Sequence, residues 1–353
     1  MKIVVAMSGG VDSSVAAGLM AEAGHEVIGI TLQLYDHGAA MGRKGACCAG
    51  QDIHDARRVA DRLDIPHYVI DSEAKFRAHV ITAFADSYAN GQTPVPCIAC
   101  NQHLKFGDLA TTARALGADA LATGHYVRRV DGPAGAELHR AMDIARDQSW
   151  FLFATTREQL EFCRFPLGDF ASKAAVRREA ERLGLPVAAK PDSQDICFVP
   201  AGSYADLVGR LRPDALEAGE IVSETGESLG RHQGIARYTV GQAKRLGAAA
   251  SHGGEPMVVR RIEPASRRIV VGPKSAGSRE IRLRDVNWLT ARPTAPLRAE
   301  VKLRAQQALH GGEIMAEEST ALLLLDSPAL AAPGQAAVFY EGSRVLGGGF
   351  IAA

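Results

Sequence analysis

The segment Lys2-Ile-Val-Val-Ala-Met7 runs directly into Ser8-Gly-Gly-Val-Asp-Ser-Ser14, which is followed by Val15-Ala-Ala-Gly-Leu-Met20. The apolar, β-branched run predicts a buried strand, the Ser/Gly run a turn, and the alanine-rich run a helix. Gly9 and Gly10 have no Cβ atom, so a ligand can come close to the backbone N–H groups of the turn. The unpaired N–H groups at the start of the helix face the same volume. This stretch therefore predicts a phosphate site between a strand and a helix.

The turn differs from the common nucleotide-binding loop, which ends in Gly-Lys-Ser/Thr, because no lysine follows its glycines. Without a lysine to hold the terminal phosphates, the turn suits a pyrophosphate group, and Asp12 is suited to help hold Mg²⁺. The run Ser8-Gly-Gly-Val-Asp-Ser13 closely resembles the signature of the PP-loop ATP pyrophosphatases. That resemblance implies cleavage of ATP between its α and β phosphates, adenylation of a substrate oxygen and release of pyrophosphate.

Strand-like and helix-like segments alternate up to residue 199. Residues 25–34 and 67–70 are predicted as strands, and residues 51–63 and 74–88 as helices. Such alternation predicts an α/β domain whose parallel sheet is covered on both faces. Farther along, short β-like runs predict a small β-rich module and then, from about residue 281, a small closed barrel.

The composition is that of a globular protein long enough for two or three domains. The chain has 353 residues, of which 46% are hydrophobic and 23% charged. Its formal net charge is zero, so any contact with nucleic acid has to come from a local basic surface. The sequence has no apolar run long enough to span a bilayer, and it has no signal peptide. We therefore expect a soluble, cytoplasmic protein with no membrane partner.

The cysteines are predicted to be free thiols, because a chain of this size with so few of them is not a secreted disulfide framework. They are Cys47, Cys48, Cys97, Cys100, Cys163 and Cys197. Cys100 precedes a helix that we expect to start at residue 102 with Asn101 as its cap, and Lys105 follows one turn later. Both features predict a lowered pKa for Cys100 and a nucleophilic thiolate. Asp192 and Asp195 would raise the pKa of Cys197 if they lay close to it.

Further motifs make the resemblance more specific. They are Thr93-Pro-Val-Pro96 with Cys100-Asn101 and Lys105-Phe106, Thr123-Gly-His-Tyr126, Asp147-Gln-Ser-Trp-Phe-Leu152 and Asp192-Ser-Gln-Asp-Ile-Cys-Phe198. In this order and approximate spacing they resemble the bacterial tRNA-specific 2-thiouridylases, and the similarity continues to Leu346-Gly-Gly-Gly349. The resemblance implies an enzyme that uses ATP and Mg²⁺ to replace the C2 oxygen of the wobble uridine of certain tRNAs with sulfur. It also implies that the barrel binds tRNA.

On this basis we expect a PP-loop (adenine nucleotide α-hydrolase-like) thiolation domain at residues 1–205, a central β-rich domain at 206–276 and a tRNA-binding β-barrel at 277–353. The resemblance implies that ATP is bound by Ala6, Met7, Ser8, Gly9, Gly10, Val11, Asp12, Ser13, Leu32 and Gly124. It implies that tRNA is bound by His125, Arg146, Asp147, Gln148, Ser149, Arg304, Ala305 and Gln335. The implied catalytic residues are Asp12, Cys100 and Cys197.

The implied chemistry explains the two cysteines. A uracil oxygen is a poor leaving group, and adenylation converts it to AMP, which leaves once sulfur attacks C2. The resemblance makes Cys100 the nucleophile and Cys197 the persulfide carrier. Thiol–disulfide exchange would then release the terminal sulfur and join the two residues by a disulfide that a reductant opens. The sulfur would come from a persulfide carrier protein or a cysteine desulfurase relay.

Cys97 departs from the family pattern. Many members have an aspartate three residues before the nucleophile, where it contacts the target base, whereas this chain has Cys97-Ile-Ala-Cys100. Together with Cys197, the pair supplies three thiolates, which suggest as an alternative an iron–sulfur cluster with one iron open to bind sulfide. A zinc site would lack a fourth ligand.

Two other functions remain open at this stage. One is a different PP-loop ligase or synthase that acts on a small metabolite, although nitrogen transfer needs no thiol and would leave the paired cysteines unexplained. The other is a non-catalytic protein that binds RNA or senses a nucleotide with the same fold.

Overall fold

A computed structural model of the chain describes residues 1–35, 48–192, 196–199, 203–275 and 277–353, with the side chains of residues 48 and 49 excepted. The chain divides into two units. Unit 1 comprises Met1–Val80, Cys97–Phe198 and Gly342–Val345, and unit 2 comprises Ile81–Pro96, Val199–Glu341 and Leu346–Ala353.

A parallel sheet forms the centre of unit 1. The strands up to residue 192 are β1 (Lys2–Ala6), β2 (Glu26–Gln33), β3 (His67–Asp71), β4 (Ala120–Thr123), β5 (Val127–Gly132), β6 (Gly135–Arg140) and β7 (Cys163–Arg164). The sheet has the order β3-β2-β1-β4-β7, and every neighbouring pair in it is parallel. Strands β5 and β6 form an antiparallel hairpin. The predicted α/β fold is confirmed.

Helices cover the sheet. Up to residue 192 the helices of unit 1 are α1 (Val11–Glu22), α2 (Cys48–Leu63), α3 (Glu73–Phe76), α5 (Pro96–Ala99), α6 (Ala110–Ala115), α7 (Arg157–Phe162) and α8 (Lys173–Arg182), with 3₁₀ turns at Ile144–Arg146 and Ser149–Leu152, whereas α4 (Ala83–Ala89) belongs to unit 2. Ile3 and Val5 of β1 pack into one apolar cluster with α1, α2 and α8. Val4 points to the opposite face and is also fully buried. Both faces of the sheet are therefore covered, as predicted.

Two helices differ from the predictions. The predicted helix 74–88 is a longer helical stretch in which the π-helical segment Arg77–Thr82 joins α3 to α4. The prediction that a helix starts at residue 102 is wrong, because α5 starts at Pro96 and continues into a second π-helical segment, Cys100–Leu109. Proline suits the first helical position, where its missing N–H would have had no partner.

Unit 2 contains two β-rich parts. The first part begins with α9 (Tyr204–Leu211) and a 3₁₀ turn (Pro213–Leu216). A sheet follows, built from β8 (Gly219–Ser223), β9 (Ser228–His232), β10 (Ser251–His252), β11 (Glu255–Glu263) and β12 (Arg268–Pro273). Its strand order is β10-β11-β12-β8-β9. Two more 3₁₀ turns lie at Ile235–Arg237 and Gly247–Ala250.

The C-terminal strands close into a barrel. They are β13 (Ser278–Trp288), β14 (Leu297–Lys302), β15 (His310–Ala316), β16 (Ala321–Ala329), β17 (Ala336–Glu341) and β18 (Arg344–Ile351), in the order β13-β16-β15-β14-β17-β18. Pairing of Leu283 in β13 with Ile351 in β18 completes the circle, and an apolar core including Val301 and Phe339 fills the inside. The predicted closed barrel is confirmed. None of the helices in the described ranges is both long and apolar enough to cross a bilayer.

Candidate active site

The glycine turn between β1 and α1 leaves the start of α1 open to a ligand. Gly10 is the N-cap residue and has no side chain to occupy the first N–H groups of the helix. Gly9 has a φ of 73°, and a Cβ at this position would lie 2.1 Å from the carbonyl oxygen of Asp52. Only glycine can take this conformation and this contact. The turn therefore has the shape that the sequence predicts for a phosphate site.

The serines of the turn differ in what they offer a ligand. Ser8 is exposed at the turn, whereas Ser13 and Ser14 are buried. The Ser13 hydroxyl accepts a hydrogen bond from the Ser8 N–H at 3.1 Å, and the Ser14 hydroxyl donates to the Gly10 carbonyl at 2.8 Å. The two buried serines hold the turn in shape, so the exposed hydroxyl is that of Ser8.

The remaining residues expected at ATP lie around this turn. Met7 and Val11 are buried in the core, while Ala6 and Leu32 are half-buried. A Cβ on Gly124 would lie 2.7 Å from the Ser13 nitrogen, so the absence of a side chain lets the segment after β4 pack against the first turn of α1.

Asp12, in the first turn of α1, accepts two short hydrogen bonds. Its Oδ1 is 2.6 Å from the Tyr126 hydroxyl and 2.6 Å from Nζ of Lys173. Burial and the neighbouring Asp12 raise the pKa of Tyr126, so the phenol keeps its proton and donates it. The carboxylate is one-third exposed. One accessible carboxylate beside a phosphate site fits Mg²⁺, which is usually held by one or two carboxylates together with substrate phosphates.

Asp192 continues this network toward the segment that carries Cys197. Its Oδ1 lies 3.1 Å from Nζ of Lys173 and 2.8 Å from Nη2 of Arg177, and its Oδ2 lies 3.2 Å from Nη1 of Arg146. Burial alone would raise the pKa of Asp192, but Lys173, Arg177 and Arg146 lower it. Three cations thus meet at Asp192, and one of them, Lys173, also pairs with Asp12.

Lys190 ties the glycine turn to α2. Its Nζ donates to the Gly9 carbonyl at 3.0 Å, to Oδ1 of Asp52 at 2.7 Å and to Oδ2 of Asp55 at 2.6 Å. Burial would lower the pKa of Lys190, but Asp52 and Asp55 raise it. Burial would raise the pKa of Asp55, but Lys190 lowers it. The ion pair therefore fixes the glycine turn against α2.

The structure brings three cysteines of this unit together. Cys97 and Cys197 are exposed, whereas Cys100 is buried. Desolvation by the surrounding protein and the nearby thiols Cys100 and Cys97 raise the pKa of Cys197 to about 12, and Lys105 opposes the rise. Cys97 and Cys100 therefore lie within electrostatic range of Cys197, although they are distant from it in the chain. The effect expected from Asp192 is not seen, since that carboxylate is paired with cations, and Asp195 lies outside the described residues.

The predicted lowering of the Cys100 pKa is wrong. Burial raises the pKa of Cys100, Cys97 adds to the rise, and Lys105 only opposes it. The physical reason is that α5 starts at Pro96, so Cys100 lies inside the helical stretch rather than at its N-terminus. Without the dipole of a helix start, the charge of Lys105 does not outweigh desolvation.

Aromatic packing holds the Cys197 segment in place. The ring of Phe198 packs edge-on against Phe76 of α3, with centroids 5.6 Å apart, and Phe76 is fully buried. Cys163, in contrast, is buried in β7, and burial raises its pKa to about 12. Cys163 is thus an apolar core residue.

Three family models cover nearly all of the chain. A "tRNA methyl transferase HUP domain" matches residues 1–201, a "tRNA methyl transferase PRC-barrel domain" matches 207–273, and an "Aminomethyltransferase beta-barrel domain" matches 278–351. The chain is 72% identical over 351 residues to the tRNA-specific 2-thiouridylase MnmA of Acidiphilium cryptum, covering 99% of this chain and 100% of that one. The chain belongs to the tRNA-specific 2-thiouridylase family. The corresponding enzymes of Gluconobacter oxydans (60% identity; 100% of this chain, 99% of that one) and Rhodospirillum centenum (59%; 99% and 91%) are similar over the same span.

The thiols of this thiouridylase do not fit an iron–sulfur cluster as they are placed. Within the described segments, no three His, Cys, Asp or Glu side chains are arranged to hold a metal ion, although Cys97, Cys100 and Cys197 are near one another. Cys47 lies outside the described residues, and the Cys48 side chain is likewise not described. We therefore derive no step through a cluster.

The thiouridylase positions expected at tRNA differ in how far they reach solvent. Arg146 is 45% exposed. The Asp147 side chain is fully buried and accepts hydrogen bonds from Ser149 N–H at 3.1 Å and the Ser149 hydroxyl at 2.9 Å. Gln148 accepts from the Tyr126 N–H at 2.9 Å. These three residues shape the segment next to Arg146, and their contact with tRNA stays a prediction.

Three other expected tRNA positions lie in unit 2. Arg304 donates to the Val240 carbonyl at 3.0 Å, and burial lowers its pKa. Gln335 donates to the Thr93 carbonyl at 3.0 Å. Ala305 is half-buried. The two polar side chains are therefore anchored within the unit, and their role at tRNA is likewise untested.

Sequence reasoning missed three residues of the site: Lys173, Arg177 and Lys190. Lys173 is the first residue of α8, and Arg177 follows four positions later on the same helix face. A cation at a helix N-terminus is disfavoured by the helix dipole, so this placement was a usable signal. Lys190 gave no such signal, because its partners lie more than a hundred residues away.

Proposed function

We propose that this protein catalyses ATP-dependent 2-thiolation of the wobble uridine of tRNA, with adenylation of the C2 oxygen and sulfur transfer from a persulfide on Cys197. The observation that carries the proposal is that one unit holds both an open helix N-terminus after a glycine turn and a group of neighbouring thiols. A metabolite ligase would need the first feature and not the second.

In the first half-reaction, the C2 oxygen of uridine attacks the α-phosphorus of ATP and pyrophosphate leaves. The N–H groups of α1 and the cations Lys173, Arg177 and Arg146 are suited to the phosphates, which would replace Asp192 as their partner. Mg²⁺ would arrive with ATP and neutralise phosphate charge, with Asp12 as its protein ligand.

In the second half-reaction, sulfur replaces the adenylated oxygen. The thiolate of Cys100 attacks Sγ of the Cys197 persulfide, the S–S bond of the persulfide breaks, and hydrosulfide leaves with the electron pair. Hydrosulfide attacks C2, and the C2–O bond breaks to release AMP. The residues Cys100 and Cys197 end as a disulfide, which a thiol reductant must reduce before the next turnover.

The exposed Cys197 fits sulfur delivery by another protein. We propose a persulfide carrier or a cysteine desulfurase relay as that partner, and the cytoplasm as the location because tRNA and ATP are there. We also propose that residues 1–205 carry the chemistry, that residues 206–276 form a central module, and that the barrel of residues 277–353 binds tRNA.

The test is nucleoside mass spectrometry of tRNA after incubation with ATP, Mg²⁺ and a persulfide donor. We expect 2-thiouridine with the unmodified enzyme and with the control Cys163→Ala, and none with Cys100→Ser or Cys197→Ser. The variant Asp12→Ala should remain folded and release pyrophosphate at least about 100-fold more slowly. Normal thiolation by either cysteine variant would defeat the assigned roles, and robust ATP–pyrophosphate exchange with a small metabolite alone would favour a ligase.

A further inference from the structure

Thr31 of β2 ties the residue before the glycine turn to the edge strand β3. Its hydroxyl donates to the Met7 carbonyl oxygen at 2.7 Å and lies 2.8 Å from Nε2 of His67, the first residue of β3. Thr31 and Met7 are buried. A carbonyl oxygen can only accept, so the single proton of the hydroxyl goes to Met7. The oxygen of Thr31 therefore accepts its second hydrogen bond from His67.

The tautomer of His67 follows from this arrangement. Nε2 carries the ring proton, and Nδ1 is left as an acceptor. Nδ1 is buried, and no donor among the described residues bonds to it. Burial and the charge of Arg57 lower the pKa of His67, and Asp61 opposes them. The imidazole therefore stays neutral at physiological pH and keeps its N–H directed at Thr31.

Gly29 leaves the space that the histidine occupies. A Cβ at Gly29 would overlap Sδ of Met7 and lie 3.2 Å from Cδ2 of His67. Gly29 and Thr31 lie on the same face of β2, because side chains alternate along a strand. A glycine at this position therefore lets the imidazole lie across β2, within reach of the hydroxyl two residues later.

The first peptide group of the glycine turn is held on both sides. It joins Met7 to Ser8; its carbonyl accepts from Thr31, and its N–H donates to Oγ of Ser13 at 3.1 Å. In a trans peptide the carbonyl and the N–H point in opposite directions, so the peptide plane cannot rotate without breaking one of these two bonds. The N–H groups that face a phosphate follow directly in the chain. The orientation of this plane therefore sets the direction in which the turn begins.

We propose that Thr31 and His67 are positioning residues for ATP: His67 directs the Thr31 hydroxyl, and Thr31 holds the Met7–Ser8 peptide in the orientation that presents the glycine turn to the phosphates. This inference rests on the proposed function, in which ATP binds at that turn. It adds one residue each of β2 and β3 to the ATP residues expected from the sequence.

The test is titration of ATP, without tRNA, into variants whose folding is checked by thermal melting. Thr31→Val keeps the shape and removes the hydroxyl, so it should raise the Kd for ATP about tenfold, and His67→Ala should raise it about threefold. Thr31→Ser keeps the hydroxyl and His67→Gln keeps an N–H in place of Nε2, so both should bind ATP within about twofold of the unmodified protein. The double variant of Thr31→Val and His67→Ala should bind no more weakly than Thr31→Val, because His67 acts only through Thr31.

Val27→Ala separates positioning from a general loss of stability. Val27 is buried in β2 and pairs with Ile3 near the start of β1, at the end of the strands away from the turn. This variant should melt at a lower temperature and bind ATP normally in titrations made well below its melting temperature.

The outcomes distinguish the inference from the proposed function. Unchanged ATP binding by folded Thr31→Val or His67→Ala overturns the inference. Additive effects in the double variant overturn it too, as does a loss of affinity in Val27→Ala as large as that in Thr31→Val. An unmodified protein that does not bind ATP would instead overturn the proposed function.

Discussion

Cys100 shows at the scale of one residue how desolvation competes with charge. Lys105 favours the thiolate, yet burial raises the pKa of Cys100 above its ordinary value. Removing water from around the Cys100 thiolate destabilises it by more free energy than the charge of Lys105 stabilises it. The Cys100 thiol is therefore mostly protonated at neutral pH, and Lys105 opposes this effect of burial.

Gly9 carries the clearest prediction at this scale. Gly9→Ala should lower the free energy of unfolding by about 2–4 kcal/mol and weaken ATP binding at least tenfold, because both the positive φ and the approach to Asp52 are forbidden to alanine. Thermal melting and ATP titration measure the two effects. Gly24→Ala is the matched control, since its φ is 77° but a Cβ there meets nothing within 4 Å. If both variants melt alike and bind ATP alike, the close contact at Gly9 is unimportant.

At the scale of elements, the site depends on how α1, α2 and α8 are joined. Helix α1 presents its N-terminus, α8 contributes Lys173 and Arg177, and α2 supplies the carboxylates that hold Lys190. The apolar cluster shared by the three helices and the sheet fixes their positions. Because this packing fixes the three helices, the few charged side chains at their ends meet in defined positions.

Lys190→Met should lower the free energy of unfolding by about 2 kcal/mol near neutral pH, because it removes the ammonium from the nearly buried Asp55 and leaves that carboxylate with Gln51 and the more distant Arg58. Asp55 has a lowered pKa, so its contribution is present above the ordinary value of 3.8 and is lost as the pH falls through the lowered one. Lys190 has a raised pKa, so its contribution is present below 10.5 and is lost as the pH rises through the raised one.

Urea unfolding of Lys190→Met and the unmodified protein at a series of pH values tests this prediction. The difference between them should be level from about pH 5 to pH 9 and shrink in more acidic and more alkaline buffers. Arg182→Met, which breaks an exposed ion pair with Glu22, is the control and should have a small effect. A difference that does not vary with pH would remove the ion pair as its cause.

At the scale of the whole chain, the three neighbouring thiols come from two segments that are distant in the sequence. Cys97 and Cys100 come from the helical stretch after Pro96, and Cys197 comes from the segment after α8. Their order in the chain alone says nothing about their separation in space. The fold of unit 1 brings them near enough for each to affect the ionisation of another.

This arrangement predicts an enzyme that needs no iron. Anaerobically purified protein should be colourless, contain far less than one iron per chain, and thiolate tRNA with a persulfide donor. Cys97→Ser should retain thiolation, because in the proposed mechanism Cys97 is neither the attacking thiol nor the persulfide carrier. Iron analysis and absorbance measure the iron content, and nucleoside mass spectrometry measures the thiolation of tRNA. Brown protein whose iron and activity both fall in Cys97→Ser would contradict the prediction.

The sequence by itself determined the family, the α/β fold, the closed barrel and the glycine turn. These features follow from local patterns: β-branched runs, strand–helix alternation, and glycines where the backbone must bend. The family prediction is confirmed by a relative that is 72% identical, and the parallel sheet and barrel are confirmed by the structure. Local patterns also misled, since they predicted a helix start at residue 102 and the helix starts at Pro96.

Tertiary structure alone decided the ionisation of the thiols and the composition of the charged networks. The pKa of Cys100 depends on burial, which no local window of sequence records, and Lys190 meets partners that precede it by more than a hundred residues. His125 and Lys105 are twenty residues apart and meet because β4 ends beside the π-helical segment. Electrostatic effects act through space, so they become readable only when the chain has folded.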